Sequence, residues 1–209
     1  MPIICFFGPD GSGKTTLVRA LTKRLNQDGF KVRLSWMRGT HTLASLLAKL
    51  LSKFTAFRGS DNPYYGIIIP GNLKRLWQLI EFASAIPIIL LKFILPSTMG
   101  SWVIAERYLP DFITWISLTT NDQNYPESIE AKFLLALSVK AQAKIYVTAT
   151  LKELLKRREG INPDFVSDQL KFYNKIASAI HAHRLDTTNK SANESLEEAL
   201  NLLNIGKCP

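Results

Sequence analysis

The segment Gly8-Pro9-Asp10-Gly11-Ser12-Gly13-Lys14-Thr15 fits the pattern G-x-x-x-x-G-K-[ST], the spacing of a loop that cradles phosphates. Its glycines let the backbone turn so that successive N–H groups face one anion, and a helix starting beyond them adds positive potential. Lys14 supplies a point charge for the outer phosphates, and the Thr15 hydroxyl is a ligand for the Mg²⁺ held with them. At average residue frequencies the four fixed positions arise by chance in fewer than about one in a hundred chains of this length. The run from Gly8 through Thr15 to Thr16 is therefore the candidate site for ATP with Mg²⁺. Such a loop specifies a nucleoside triphosphate but no reaction, because switch proteins, ATPases and kinases share it.

Three further groups could act on a phosphate. Arg38 follows a strand-like segment, Glu106-Arg107-Tyr108 follows a buried apolar run, and Lys152, Lys156, Arg157 and Arg158 crowd one helix end. Phosphoryl transfer between two phosphates needs no strong base, since the acceptor oxygen is already anionic; it needs cations that hold two polyanions in line. Glu106, at the carboxyl end of a buried strand, falls where open α/β sheets place their sites and could hold Mg²⁺ through water. His181 and His183, at i and i+2, share no helix face and make no metal pair. Cys5 and Cys208 form neither a disulfide framework nor a metal spacing.

The elements that must position these residues follow from periodicity. Apolar or alternating runs at Ile3 to Phe7, Lys31 to Trp36, Trp102 to Ala105, Lys144 to Thr148 and Arg184 to Asp186 read as strands. Helical spacing is expected over 15–26, 43–51, 73–95, from about Asp111, over 127–139, 151–158, 165–182 and 193–203. Strands and helices in alternation, with buried apolar strands, imply one α/β domain over residues 1–209, its parallel sheet covered on both faces. Gly160 to Ser167, short and polar with Asn162-Pro163-Asp164, reads as a mobile insert. The long apolar stretch Leu73 to Leu95 contains Lys74, Arg75, Glu81, Pro87 and Lys92, which argues for a core helix and against a membrane span.

The 209 residues carry 26 Lys+Arg against 17 Asp+Glu, a net charge of +9, and residues 1–60 hold 10 of the basic and only 2 of the acidic side chains. With 46% hydrophobic residues, disorder is excluded. The basic excess points to an anionic partner, yet no helix-turn-helix, zinc-finger or ribonucleoprotein pattern is present, so small phosphates are expected and nucleic acid is not. The N-terminus has no basic segment ahead of its apolar run, and a cytoplasmic protein is expected.

Several separated segments resemble the thymidylate kinase family of nucleoside monophosphate kinases. The phosphate loop with its acidic third residue Asp10, the post-strand Arg38-Gly39-Thr40, the strand ending in Glu106-Arg107-Tyr108, the basic segment Arg157 to Gly160, Phe172-Tyr173 and Leu185-Asp186-Thr187-Thr188 occur in that family's order and spacing. The resemblance implies a three-layer P-loop kinase fold with a five-stranded parallel sheet and a lid over about 152–167. It implies transfer of the ATP γ-phosphoryl to dTMP, with Lys14, Arg107, Arg157 and Arg158 as the catalytic cations. It places Asp10, Arg38, Arg107, Tyr108 and the stacking aromatic Trp115 at the acceptor, and Thr15 and Glu106 at the metal. Pairing of two chains through apolar helices is implied on the same ground alone.

The chain departs from that family at four points. Gly11 stands where some members carry an arginine, so the lid must supply the transition-state cation. Pro163 to Val166 lacks the arginine usual beyond the lid turn, no arginine lies between Arg75 and Arg107 to read a thymine edge, and Ile116 replaces a glutamine. A deoxynucleoside kinase, a kinase of a more apolar acceptor and a nucleotide-regulated nucleic-acid-binding module are the alternatives. The first would need a carboxylate after the second strand to deprotonate a hydroxyl, where this chain offers Arg38.

Overall fold

A computed structural model describes residues 2–37, 39, 42–59, 65–158, 160 and 162–203. Five apolar segments form one parallel sheet: β1 (Ile3–Phe7), β2 (Val32–Trp36), β3 (Trp102–Glu106), β4 (Ala143–Thr148) and β5 (His183–Asp186), in the order β2-β3-β1-β4-β5. Every residue of β1 is buried, as a central strand covered on both faces must be. Its neighbours are in register with it, Ile4 pairing Ile104 on one side and Ala143 on the other.

Helices α1 (Lys14–Gln27) and α9 (Ala192–Leu203) pack on one face, where Leu17, Val18, Leu21 and Leu200 meet Ile4, Phe6 and Ile104. The other face carries α3 (Lys74–Ile89), α5 (Leu109–Thr119), α6 (Ile129–Val139) and α8 (Pro163–Ala179), whose Ala85, Phe112, Leu134 and Ile176 join Ile3, Cys5 and Val103. The expected three-layer α/β arrangement with five parallel strands is therefore the fold observed. Between these, α2 (Leu43–Leu51) packs on α3, and α7 (Leu151–Arg157) precedes α8.

Two expectations need correction. The stretch expected to be one helix over 73–95 changes pitch: α3 ends at Ile89, a π-turn runs over Leu90–Ile94, and α4 (Leu95–Thr98) continues. Pro96 explains the break, since it has no N–H for the Lys92 carbonyl four residues earlier and its ring crowds that turn open. The hydroxyl of Ser35 on β2 then donates to the Lys92 carbonyl, 2.8 Å away, fixing the widened turn against the sheet edge. Secondly, most of the insert expected over 160–167 is helical. Asn162 Oδ1 accepts the Asp164 N–H at 2.8 Å and Pro163 takes the first helical position, so Asn-Pro-Asp is a helix start and not a loose loop.

The sheet's order sets the site. β1 and β3 are neighbours, with Phe6 opposite Glu106, so the loop after β1 and the Glu106-Arg107 end of β3 emerge side by side. Gly8 leaves β1 with φ +141°, and a Cβ there would lie 2.1 Å from the Val147 carbonyl oxygen of β4. Replacing it with alanine adds both backbone strain and a clash with immovable sheet backbone. Gly8→Ala is expected to lower stability by roughly 2–4 kcal/mol, read as a reduced urea midpoint; an unchanged midpoint would show that the loop does not lie against β4.

Candidate functional site

Positive φ at Gly8, Gly11 and Gly13 turns the loop back on itself before Lys14 opens α1. A cavity of about 310 Å³ at its mouth is lined by Asp10, Gly11, Gly13, Lys14, Thr15, Thr16, Arg107 and Arg158. Lys14 is nearly buried, and its ammonium donates to the carbonyls of Gly8 and Pro9, both at 2.6 Å, and to Ser12 Oγ at 3.1 Å. Burial, with Arg107 nearby, lowers its pKa to about 7 against the opposing pull of Asp111, Asp10 and Glu106. The Thr15 hydroxyl donates to Glu106 in a short hydrogen bond. Two hard oxygen donors thus meet where Thr15 lines the cavity, which suits Mg²⁺, a cation that keeps several waters and takes phosphate oxygens as ligands. Among the described residues no cluster of three acidic, histidine or cysteine side chains offers a fuller metal cage.

Arg107 adopts φ +66°, a left-handed conformation for a residue with a Cβ. Two sheet-edge hydrogen bonds hold it there: its N–H donates to Phe6 at 3.0 Å, and its carbonyl accepts from Met37 at 3.4 Å. The turn sends the guanidinium between two carboxylates. It forms a tight ion pair with Asp10 and a longer one with Asp111 at 3.4 Å. Burial disfavours its charge, but Asp111 and Asp10 overcome this and raise its pKa. Arg158 holds the second oxygen of Asp10 at 2.7 Å, so Asp10 bridges two arginines at the cavity rim.

Asp111 carries no expectation from sequence and is the most connected acid of the site. Besides Arg107, it accepts the Tyr173 hydroxyl at 2.8 Å, the Tyr108 N–H at 3.2 Å and the Gly8 N–H at 3.4 Å. Burial pushes its carboxyl up, while Arg107, Lys14 and these hydrogen bonds pull it down. One side chain therefore ties the phosphate loop, the start of α5 and α8 together. The sequence signal was available: Asp111 stands at the third position of a helix whose N-cap is Tyr108, where an acid closes a capping box.

Beside the phosphate cavity, a second and tighter cleft of about 30 Å³ shares Asp10 and Arg107 with it. Its other walls are aromatic and apolar, with Trp115, Leu118, Phe165 and Tyr173, together with Thr114, Thr119 and Gln169. Trp115 packs against Gly39, where a Cβ would fall 1.9 Å from the indole nitrogen, so glycine is needed there. Behind Trp115 lies Glu81, 2% exposed, on α3. Its burial raises the pKa to about 7, against hydrogen bonds from Trp115, Thr42 and Trp77. Phe165, Gln169 and Glu81 are site or near-site residues that periodicity assigned only to helices.

Of the residues singled out from sequence, the structure brings Gly8 through Thr16, Glu106, Arg107, Arg158 and Trp115 around the two cavities. Two are placed elsewhere. Tyr108 is buried in the core, its ring 4.7 Å from Phe93, because as N-cap of α5 its side chain turns away from the cleft. Arg157 spends its guanidinium on the loops: it donates to the Gly11 carbonyl, to Thr187 Oγ1 and carbonyl, and to Glu153. It ties α7 to the phosphate loop, while Arg158 faces the cavity. Arg38 lies outside the described residues.

A family model described as the ATPase family associated with various cellular activities (AAA) matches residues 4–91. No curated protein matches the chain. Among solved structures, the thymidylate kinase of Candida albicans superposes with a TM-score of 0.66 at 16% identity, over 98% of this chain and 92% of that one. The chain thus resembles an ATPase family over residues 4–91, and its α/β fold is like that of a kinase.

Two pH dependences follow. Lys14 is half-charged near pH 7, so phosphate binding, which demands the ammonium, draws a proton from solution above that pH. ATP affinity is expected to fall by up to about tenfold per pH unit above 7, with proton uptake in calorimetry across buffers of different ionisation enthalpy; no uptake at pH 8 would contradict it. Glu81 behaves oppositely to an exposed acid. Its folded pKa lies above its unfolded value of about 4.3, so its contribution to stability is present below pH 4 and lost as pH rises through 7. Glu81→Gln is expected to flatten the decline in urea midpoint between pH 5 and 8; an unaltered decline would place the titrating group elsewhere.

Proposed function

We propose that the chain is an ATP-dependent phosphotransferase that passes the γ-phosphoryl to a nucleoside monophosphate, dTMP first among them. The observation that carries this reading is the sharing of Arg107 and Asp10 by two cavities. One is lined by phosphate-loop backbone, Lys14 and Arg158; the other is aromatic-walled. A cation common to both is where a phosphoryl group in transit between donor and acceptor is stabilised.

The residues divide the work by position. The loop N–H groups and Lys14 hold the donor phosphates. Thr15 and Glu106 would hold Mg²⁺, which when bound neutralises charge developing on the phosphate oxygens. Arg107, fixed by its two carboxylates, faces the transferring group, and Arg158 reaches the same space from the end of α7. Asp10 is occupied by two arginines and is a poor general base, which favours an acceptor already carrying phosphate over a neutral hydroxyl. The aromatic walls Trp115 and Phe165 suit a planar base, with the Gln169 amide on the same cleft. At about 30 Å³ the cleft holds little more than a water, so the acceptor enters by parting those walls.

A second reading, a kinase of a more apolar acceptor, is favoured by one observation: beyond Asp10, Arg107 and Asp111 the cleft lining holds Trp115, Leu118, Phe165 and Tyr173 and no further charged side chain. The test covers both. A coupled ADP-release assay with ATP is run against dTMP, other nucleoside monophosphates, deoxythymidine and no acceptor. ADP is expected with one or more monophosphates and not with deoxythymidine, and Lys14→Ala is expected to lose at least about 10³-fold in turnover with the fold intact. ADP release with deoxythymidine alone, or equally without any acceptor, would overturn the proposal.

A further inference from the structure

Helix α3 is turned inside out. Its buried side carries Gln78, Glu81 and Ser84 beside Trp77, Ala85 and Ile89, and Gln78 donates to Asp122 at 2.7 Å. Its outer side, continued through the π-turn into α4, exposes Leu76, Leu79, Leu90, Leu91 and Leu95, with Leu91 62% exposed. With the exposed Ala83 and Pro87 between Leu79 and Leu90, they recur every three to four residues and form one stripe along the helix. By length and composition, the segment Gly71–Thr98 could cross a membrane, yet its polar side is committed to the protein and 33% of its most apolar window is buried there. It can lie on an apolar medium but cannot span it. On α2, packed alongside, Leu43, Leu46 and Leu50 repeat the pattern outward.

Among the described residues, the exposed charges carried by α2, α3 and α4 and the turns joining them are of one sign. Between Gly29 and Ala105 the sequence has nine Lys+Arg and two acids, Asp61 and Glu81. Glu81 is buried. Lys49, Lys53, Arg58 and Lys92 are all exposed. The nearest carboxylate on α6, Glu130, is already taken by Arg75 at 2.6 Å. A second copy of the chain laid on this face would set the same exposed cations, Lys49, Lys53 and Lys92, against one another. A bilayer of anionic lipids supplies both requirements, acyl chains for the leucines and headgroups for the lysines.

We infer that the outer face of α2, α3 and α4 docks the enzyme on an anionic lipid surface, with the helices lying in the interface plane. Phosphatidylcholine vesicles with and without phosphatidylglycerol, sedimented with the full chain at low and high salt, test it. Binding is expected only to the anionic vesicles, weakened by salt. Lys49→Ser and Lys53→Ser are each expected to lower partitioning roughly fivefold, and the double variant Leu90→Asp/Leu91→Asp to abolish it with circular dichroism and thermal midpoint retained, since both side chains are exposed. Equal binding to neutral and anionic vesicles, or none to either, would overturn the inference. So would sedimentation equilibrium showing a vesicle-indifferent dimer that Leu90→Asp/Leu91→Asp dissociates, which would assign the face to a second copy.

Discussion

The site depends on one buried guanidinium held by two carboxylates. Arg107 has only 15% of its side chain exposed, and Asp10 and Asp111 have 11% and 4%. A charge so placed is tolerable only when paired: removing one partner from a buried pair costs about 3–5 kcal/mol, because the remaining charge is left uncompensated. With two acids on one arginine the cluster tends to net negative, and Lys14 and Arg158 bring it back. The three cations Lys14, Arg107 and Arg158 and the two acids are therefore not independent of one another. They form one electrostatic unit whose members fix each other's charge and direction.

That unit also organises the surrounding backbone. Arg107 can point into the cavity because its φ of +66° is held by hydrogen bonds to β1 and from the segment after β2. Asp111 reaches Gly8 of the loop and Tyr173 of α8 at the same time. Tyr173 in turn stacks near Tyr146 and Phe7, at 6.1 and 6.2 Å between ring centroids, so the polar network rests on an aromatic floor. Strain at Arg107 persists because these contacts over-determine it, and its location at the cavity is what pre-organisation for a phosphate requires.

Much of this was legible in the sequence, for physical reasons that can be named. The phosphate loop is legible because its chemistry is local: glycines, lysine and threonine act within eight residues of one another. Strands such as Ile3–Phe7 are legible because burial on both faces demands an unbroken apolar run. Arg107 and Arg158 could be singled out as cations near a strand end and a helix end. What escaped is what tertiary placement decides. Arg157 and Arg158 are adjacent and alike in sequence, yet one is spent on Thr187 and Gly11 while the other faces the cavity. Tyr108 looks like a ligand-facing aromatic but serves as a cap turned into the core. Asp111, Gln169 and Glu81 sit on helices where a polar residue ordinarily faces solvent, and only packing of α3, α5 and α8 on the sheet turns them inward. The π-turn before Pro96 belongs to the same class, since periodicity alone extends the helix through it.

The central claim is that Asp111 acts as a positioning residue, holding Arg107 for the phosphoryl group without touching it. The most direct measurement is the kinetics of Asp111→Asn with ATP and a nucleoside monophosphate, beside calorimetric ATP binding. The isosteric amide keeps shape and most hydrogen bonds and removes only the charge. The expected result is a fall in kcat on the order of tenfold to a hundredfold, with ATP affinity within about threefold of the parent. An unchanged kcat, or a loss confined to ATP affinity, would contradict the account.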